Sequence, residues 1–222
     1  MINLAISTSS NTCSVSLLED YNCIKELNIK NEKTHSEKLM PLIDELFNSA
    51  NLSLNDVDLI SCDNGPGSFT GLRIGIATVK AFAEVQNIPV VGCSSLDALS
   101  YNISNAEHIC SLIDARNNQV YCAIYDSNHN LISDYMTDDI NNLLPIFANY
   151  NNLIFVGDGY DKHQDLFTQT DIYDDTIYSK NIGICGYKKF LLGKTTTASL
   201  LSVMYLRKSQ AERMLDNGKI KH

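Results

Sequence analysis

DLISCDNGPGSFTGLRIGIATVKAFAEVQN, residues 58–87, is the stretch whose reading decides the fold. Its first six residues form an apolar run of strand length, and a loop of unusual glycine content follows, Asn64 to Gly75. From about Thr70 to Asn87 the pattern turns helical. Arg73, Lys80 and Glu84 fall within about 40° of one another on a helical wheel, and almost everything else on the helix is apolar or small. A helix of that kind must be buried on two sides. One side can be its own sheet; the other needs a second helix or another subunit. A glycine loop between a strand and a helix suits a phosphate cradle. Gly65-Pro66-Gly67-Ser68-Phe69-Thr70-Gly71, however, lacks the lysine of a Walker loop and does not match GxGxxG. Gly71 and Gly75, one turn apart, read instead as places where a neighbouring backbone comes close.

Upstream, INLAIST, CSVSLLE and NCIKELNIK read as three antiparallel strands, the first two joined by the turn residues Ser9-Ser10-Asn11-Thr12. HSEKLMPLIDELFNSAN is a helix, with Thr34 or Ser36 as cap and Glu37 at capping-box spacing from Thr34. Leu39, Met40, Leu42, Ile43, Leu46, Phe47 and Ala50 span an arc of about 160°, wider than one buried stripe requires. Downstream, IPVVGC is a strand and SSLDALSYN a short helix. HICSLIDA, QVYCAIYD and NLISDYM then form a second set of strands, followed by a helix near 139–150 and the strand NLIFVGDG. Three antiparallel strands, a helix and a strand thus occur twice, about 105 residues apart, an internal duplication. Residues 160–186 show no clear pattern, and a last helix is expected from about Lys188 to Tyr205.

The chain has 222 residues, 44% hydrophobic and 19% charged, with a formal net charge of -9. That is globular composition with room for one large or two small domains. The acidity argues against a chain that grips nucleic acid or anionic membrane by itself. With no membrane-length apolar run and no signal pattern, a soluble cytoplasmic protein is expected. The seven cysteines include no CxxC and read as small buried hydrophobes of a reducing compartment. No histidine pair recurs at ligand spacing, so no metal site is expected. No GxSxG elbow points to a nucleophile. Asp114 and Asp158 each follow an apolar strand, where α/β proteins place chemical groups, though each equally suits a turn. Residues 205–222 carry +3 and the rest of the chain -12, so the tail is either an interaction arm or a solvated end.

Several stretches resemble the TsaB (YeaZ) family of bacterial tRNA threonylcarbamoyladenosine biosynthesis proteins: LAISTSSNTCSVSL, THSEKLMPLID, DNGPGSFTGLRIGIATVKAFA, SLIDARNNQVY, VGDG and MYLRKSQAER. The resemblance implies an α/β, two-lobed actin-like ATPase fold (ASKHA, ribonuclease H-like), with mixed sheets flanked by helices. The lobes would be residues 1–101, with 199–222 packing back on them, and 102–198. It also implies a non-catalytic partner of a TsaD-like transferase. That enzyme places threonylcarbamoyl on the adenosine beside the anticodon of ANN-decoding tRNAs, joined by a TsaE-like ATPase. ATP and a metal are expected in those partners and no cofactor in this chain. tRNA would be met only through the complex, and a homodimer would form when the chain is alone. The expected partner surface is Leu39, Met40, Ile43, Phe47, Gly71, Leu72, Gly75, Ile76, Val79 and Phe82. A vestigial nucleotide cleft would comprise Ser9, Asn11, Asp114, Gly157 and Asp158, and tail contacts Arg207, Lys208 and Arg213. Where the family usually ends its first strand in Asp, this chain has Ser7, a weaker ligand for a hard cation. Where TsaD-like proteins carry HxxxH, it has His35 followed by Leu39. A free-standing actin-fold ATPase or phosphotransferase using Asp114 or Asp158 is the alternative; a peptidase is the remaining one.

Overall fold

The computed structural model describes residues 1–30 and 34–206. The tail residues Arg207, Lys208 and Arg213 lie outside the described residues. The chain opens with β1 (Ile2–Ser7), β2 (Thr12–Glu19) and β3 (Asn22–Lys30), followed by α1 (His35–Ala50), β4 (Leu59–Gly65), α2 (Phe69–Gln86), β5 (Val90–Ser94) and α3 (Ser95–Ser100). A second series runs β6 (His108–Asp114), β7 (Gln119–Asp126), β8 (Met136–Asp139), α4 (Ile140–Phe147), β9 (Leu153–Val156), α5 (Asp158–Lys162) and α6 (Ser179–Leu191). The first sheet has the order β3-β2-β1-β4-β5 and the second β8-β7-β6-β9. In each, three antiparallel strands are joined by a parallel one on the far side of the first, β4 beside β1 and β9 beside β6. The duplication legible in the sequence is therefore a duplication of sheet topology.

β1 is apolar almost throughout because both its faces are covered. Leu4 and Ile6 join the core under α1 and α2, with Leu42, Leu46, Val79 and Ala83. Ala5, between them, faces the opposite core with Leu96, Leu99 and Ile182. That second core is continuous with Ile109, Ala123 and Val156 of the other sheet, so α3 and α6 lie where the lobes meet. Polar bonds reinforce the joint. Asp97 accepts the hydroxyls of Tyr125 (2.9 Å) and Tyr135 (2.6 Å) and the ammonium of Lys189 (3.3 Å). Six of the cysteines are buried and Cys23 is exposed. Burial pushes the thiols up, to about 11 for Cys13 and about 12 for Cys93 and Cys122, which leaves them protonated and unreactive at neutral pH.

Two expected elements differ. The last helix is Ser179–Leu191, not 188–205; it ends at Gly193, whose φ of +69° is the left-handed stop. It packs on β1, β2, β4 and β5, so the return to the first lobe begins there, before the residue 199 drawn from sequence. The described residues beyond Gly193 return to the same lobe: Thr196 bridges Val90, and Met204 N–H donates to Asn64 O (2.7 Å). The strand expected over NLISDYM is displaced to Met136–Asp139. Ahead of it the Ser133 hydroxyl accepts Ile124 N–H, replacing a strand partner with a side chain.

α6 was illegible because it docks through small residues rather than an apolar stripe. A methyl on Gly183 would strike Leu18, and one on Gly186 would strike the Ser61 side chain. The sheet face beneath offers the small Ala5 beside Asn3, Ser14 and Ser61, and the three polar residues bond to one another or to the helix: Asn3 to Gly183 O (3.0 Å), Ser14 to Ser179 (2.8 Å) and Ser61 to Asn3 (2.9 Å). Gly186→Ala is expected to destabilise by about 1–3 kcal/mol through overpacking. This exceeds the roughly 1 kcal/mol that alanine gains as a helix former. Urea unfolding of the two proteins reads the sign.

Candidate functional site

Parallel β1, β4 and β5 end together, so Ser7, Asp63 and the first residue of α3, Ser95, fall in one place. Asp63 is 1% exposed. One of its oxygens accepts Ser7 Oγ (2.7 Å) and Ser9 Oγ (2.5 Å); the other accepts Ser95 Oγ (2.6 Å) and Gly65 N–H (3.0 Å). Four donors meet the roughly four acceptor positions of a carboxylate. Burial still pushes the Asp63 carboxyl above the usual carboxylate range, against the pull of the three hydroxyls and the amide. Asp63 was not among the expected site residues. The rule that singled out Asp114 and Asp158, an acid closing an apolar strand, also applies to DLISCD.

The glycine loop is built around the β1–β2 turn. Ser68 N–H donates to Ser9 O (2.7 Å), Thr8 Oγ1 donates to Gly71 O (2.8 Å), and His35 Nε2 lies 2.9 Å from Ser10 O. A methyl group on Gly67 would strike Ser9 O, one on Gly71 Thr8 O, and one on Gly75 Thr8 Oγ1. These glycines are packing positions, and the turn that would face a phosphate is filled by the chain itself. Ser68 caps α2 by accepting Gly71 N–H (3.3 Å).

In the second lobe Asp114 and Asp158 do come together. Asp158 accepts the N–H of Asp114 (2.9 Å), and Asp114 accepts Lys162 Nζ (2.8 Å) and Arg116 N–H (2.9 Å). Burial, then the charges of Asp114 and Asp175, push the Asp158 carboxyl up, while Asp114 N–H pulls it down. Gly157 holds a φ of +115°, and a methyl there would strike Leu112 O. Ser9 is buried and committed to Asp63, whereas Asn11 is exposed. Of the five expected cleft residues, Ser9 is thus bonded within the first lobe and Asp114 and Asp158 within the second. Among the described residues, no cluster of three or more His, Cys, Asp or Glu could hold a metal ion.

The expected partner surface needs correction. Leu39, Ile43, Gly71, Leu72, Gly75, Ile76 and Val79 are buried inside the first lobe. The wide arc of α1 narrows to Leu39, Leu42, Ile43 and Leu46 because β2 and β3 cover only one stripe. Gly71 and Gly75 are spent on Thr8. Met40 remains half exposed, and Phe47 and Phe82 are partly buried at the rim. The solvent face of α2 carries a strip that wheel reading did not separate from the core: partly buried Ile74, then exposed Ala77, Ala81 and Val85, spaced three and four residues apart. Val85 is 78% exposed.

The raised Asp63 carboxyl has a sign that can be read. A folded-state value above the unfolded one contributes stability that is complete below about pH 4. That contribution is lost as pH rises through the folded value. The stability of the wild type minus that of Asp63→Asn, from urea unfolding at a series of pH values, should therefore fall as pH rises above about 4. A pH-independent difference would show that Asp63 titrates as it does in the unfolded chain.

The model of the family described as TsaD, tRNA N6-adenosine threonylcarbamoyltransferase, matches residues 29–198. The tRNA threonylcarbamoyladenosine biosynthesis protein TsaB of Haemophilus influenzae is 38% identical over 122 residues, covering 53% of this chain; the chain spans about half that relative's length, 51%. TsaB of Buchnera aphidicola subsp. Schizaphis graminum is 30% identical over 169 residues, 72% of this chain and 80% of that one. A crystal structure from Pseudomonas aeruginosa, described as an uncharacterized protein with similarity to peptidase YEAZ, superposes with a TM-score of 0.82 at 25% identity, covering 93% of this chain and 99% of that one. Two duplicated mixed sheets flanked by helices and this likeness give an actin-like, ASKHA-type fold. The protein belongs to the TsaB (YeaZ) family, within the wider group that the TsaD model describes.

Proposed function

We propose that this chain is the non-catalytic partner of a TsaD-type transferase that forms threonylcarbamoyladenosine beside the anticodon of ANN-decoding tRNAs. The carrying observation is the apolar strip Ile74, Ala77, Ala81 and Val85 on the solvent face of α2, with Met40 half exposed on the neighbouring α1. Seven of the ten residues first assigned to the partner are already buried, so this outer strip is the part of the two helices still free to dock. A contact there removes apolar area from water at about 25 cal/mol per Å². The same strip serves a second copy when the chain is alone. A TsaE-like ATPase joins the assembly, and ATP with its metal is held in those partners. tRNA is met through the complex, in keeping with a net charge of -9.

A scaffold role rather than a catalytic one is supported by the commitments of the chain's own acids. Ser7 stands at the end of β1, and Asp63 beside it already accepts four hydrogen bonds. Asp114 and Asp158 are tied to each other and to Lys162. A cation or a reacting water would have to displace these bonds at about 1.5–3 kcal/mol for each involving a charged group. We expect no ATP turnover from this chain alone.

Threonylcarbamoyl transfer to tRNA, measured with transferase and ATPase subunits and with this chain present, absent or alone, tests the reading. Transfer should require the chain and be absent from the chain alone; full transfer without it would overturn the proposal. Ala77→Glu should weaken association by about 3–5 kcal/mol, since it buries an unpaired charge, with circular dichroism unchanged. A charge at Ile76, which faces the core, should instead unfold the first lobe. Gel filtration beside circular dichroism separates the two outcomes.

A further inference from the structure

Four donors converge at the carboxyl ends of β1, β4 and β5: the hydroxyls of Ser7, Ser9 and Ser95 and the N–H of Gly65. That is where open α/β sheets take their ligands. Convergent donors in a dry pocket are what a bound oxyanion requires. Here the oxyanion belongs to the chain. Asp63 ties the β1–β2 turn, the glycine loop and the start of α3 to one carboxylate, and it is shielded from solvent. The tie continues outward. Ser9, bonded to Asp63 through its side chain, accepts Ser68 N–H through its backbone, and Ser68 caps α2.

We propose that Asp63 is a positioning residue that acts as a built-in ligand. Its carboxylate occupies the anion pocket at these strand ends and presets the glycine loop and α2, so that the outer face of α2 is ready for its partner with no small molecule in that pocket. The proposal rests on the docking role given to α2 above. Taking the carboxylate away leaves four donors around a vacant space. A small free carboxylate, formate or acetate, has the charge and shape to refill it, whereas chloride is a single sphere with no pair of oxygens to meet donors on two sides.

The full chain carrying Asp63→Ala, Ser9→Ala or Ala77→Glu tests this by two readouts. One is sedimentation, of the chain alone and with the transferase subunit; the other is amide hydrogen exchange over residues 64–72. Asp63→Ala should weaken association and speed exchange in that loop, each by about tenfold or more. Formate or acetate should restore both, and chloride at equal ionic strength should not. Ser9→Ala, which keeps three of the four donors, should move both readouts the same way by less; if Asp63→Ala does not fold, this variant decides alone. Ala77→Glu should weaken association and leave loop exchange unchanged. Unchanged exchange in both Asp63→Ala and Ser9→Ala would overturn the proposal, as would equal restoration by chloride. If Ala77→Glu leaves association intact, the docking role of α2 fails, and loop exchange alone still judges the hold of Asp63 on the loop.

Discussion

A carboxylate in a protein interior must be surrounded by donors, and in this chain that requirement organises the first lobe. Asp63 sits at the end of β4 with four hydrogen bonds, and no single segment could supply them. The β1–β2 turn gives Ser7 and Ser9, the glycine loop gives Gly65, and the junction of β5 and α3 gives Ser95. Each segment must therefore arrive at its own strand end in register. The parallel pairing of β1, β4 and β5 is what brings them there.

Around that point the chain is assembled by close approach. Gly67, Gly71 and Gly75 let α2 and its loop lie directly on Thr8 and Ser9, and Gly183 and Gly186 let α6 lie on the opposite face of the same sheet. Dense packing of backbone against backbone leaves little adjustable space, so volume changes at these positions are felt at once. The same closeness places α3 and α6 between the lobes, where Asp97 gathers two tyrosines and a lysine. The result is a body whose inner surfaces are committed, with an apolar strip of Ile74, Ala77, Ala81 and Val85 left on the outside of α2.

Much of this was readable from residue order. The first three strands, α1 and α2 recur close to their expected limits, because apolar runs of strand length and helical periodicity end where turn and cap residues interrupt them. The repeat of three strands, a helix and a strand recurs as repeated sheet topology. α6 did not show, since Gly183 and Gly186 and the buried polar Ser179 and Asn181 take positions on its packed face that an apolar period would fill. β8 moved because a serine hydroxyl, rather than a backbone group, satisfies Ile124.

By itself the sequence determined the strand and helix periods, the duplication, the packing role of Gly71 and Gly75, and the family. All of these rest on local spacing or on a contiguous string such as GPGSFTGLRIG. Tertiary structure alone decided which apolar residues of α1 and α2 are core and which face solvent. A helix apolar nearly all round has no preferred side until a sheet covers one. It alone also decided that Asp63 of the first lobe is enclosed, whereas Asp114 and Asp158 of the second are not. Ser7, Ser9 and Ser95 are 56, 54 and 32 residues from Asp63 in sequence, and only the parallel alignment of three strands brings their hydroxyls to one carboxylate.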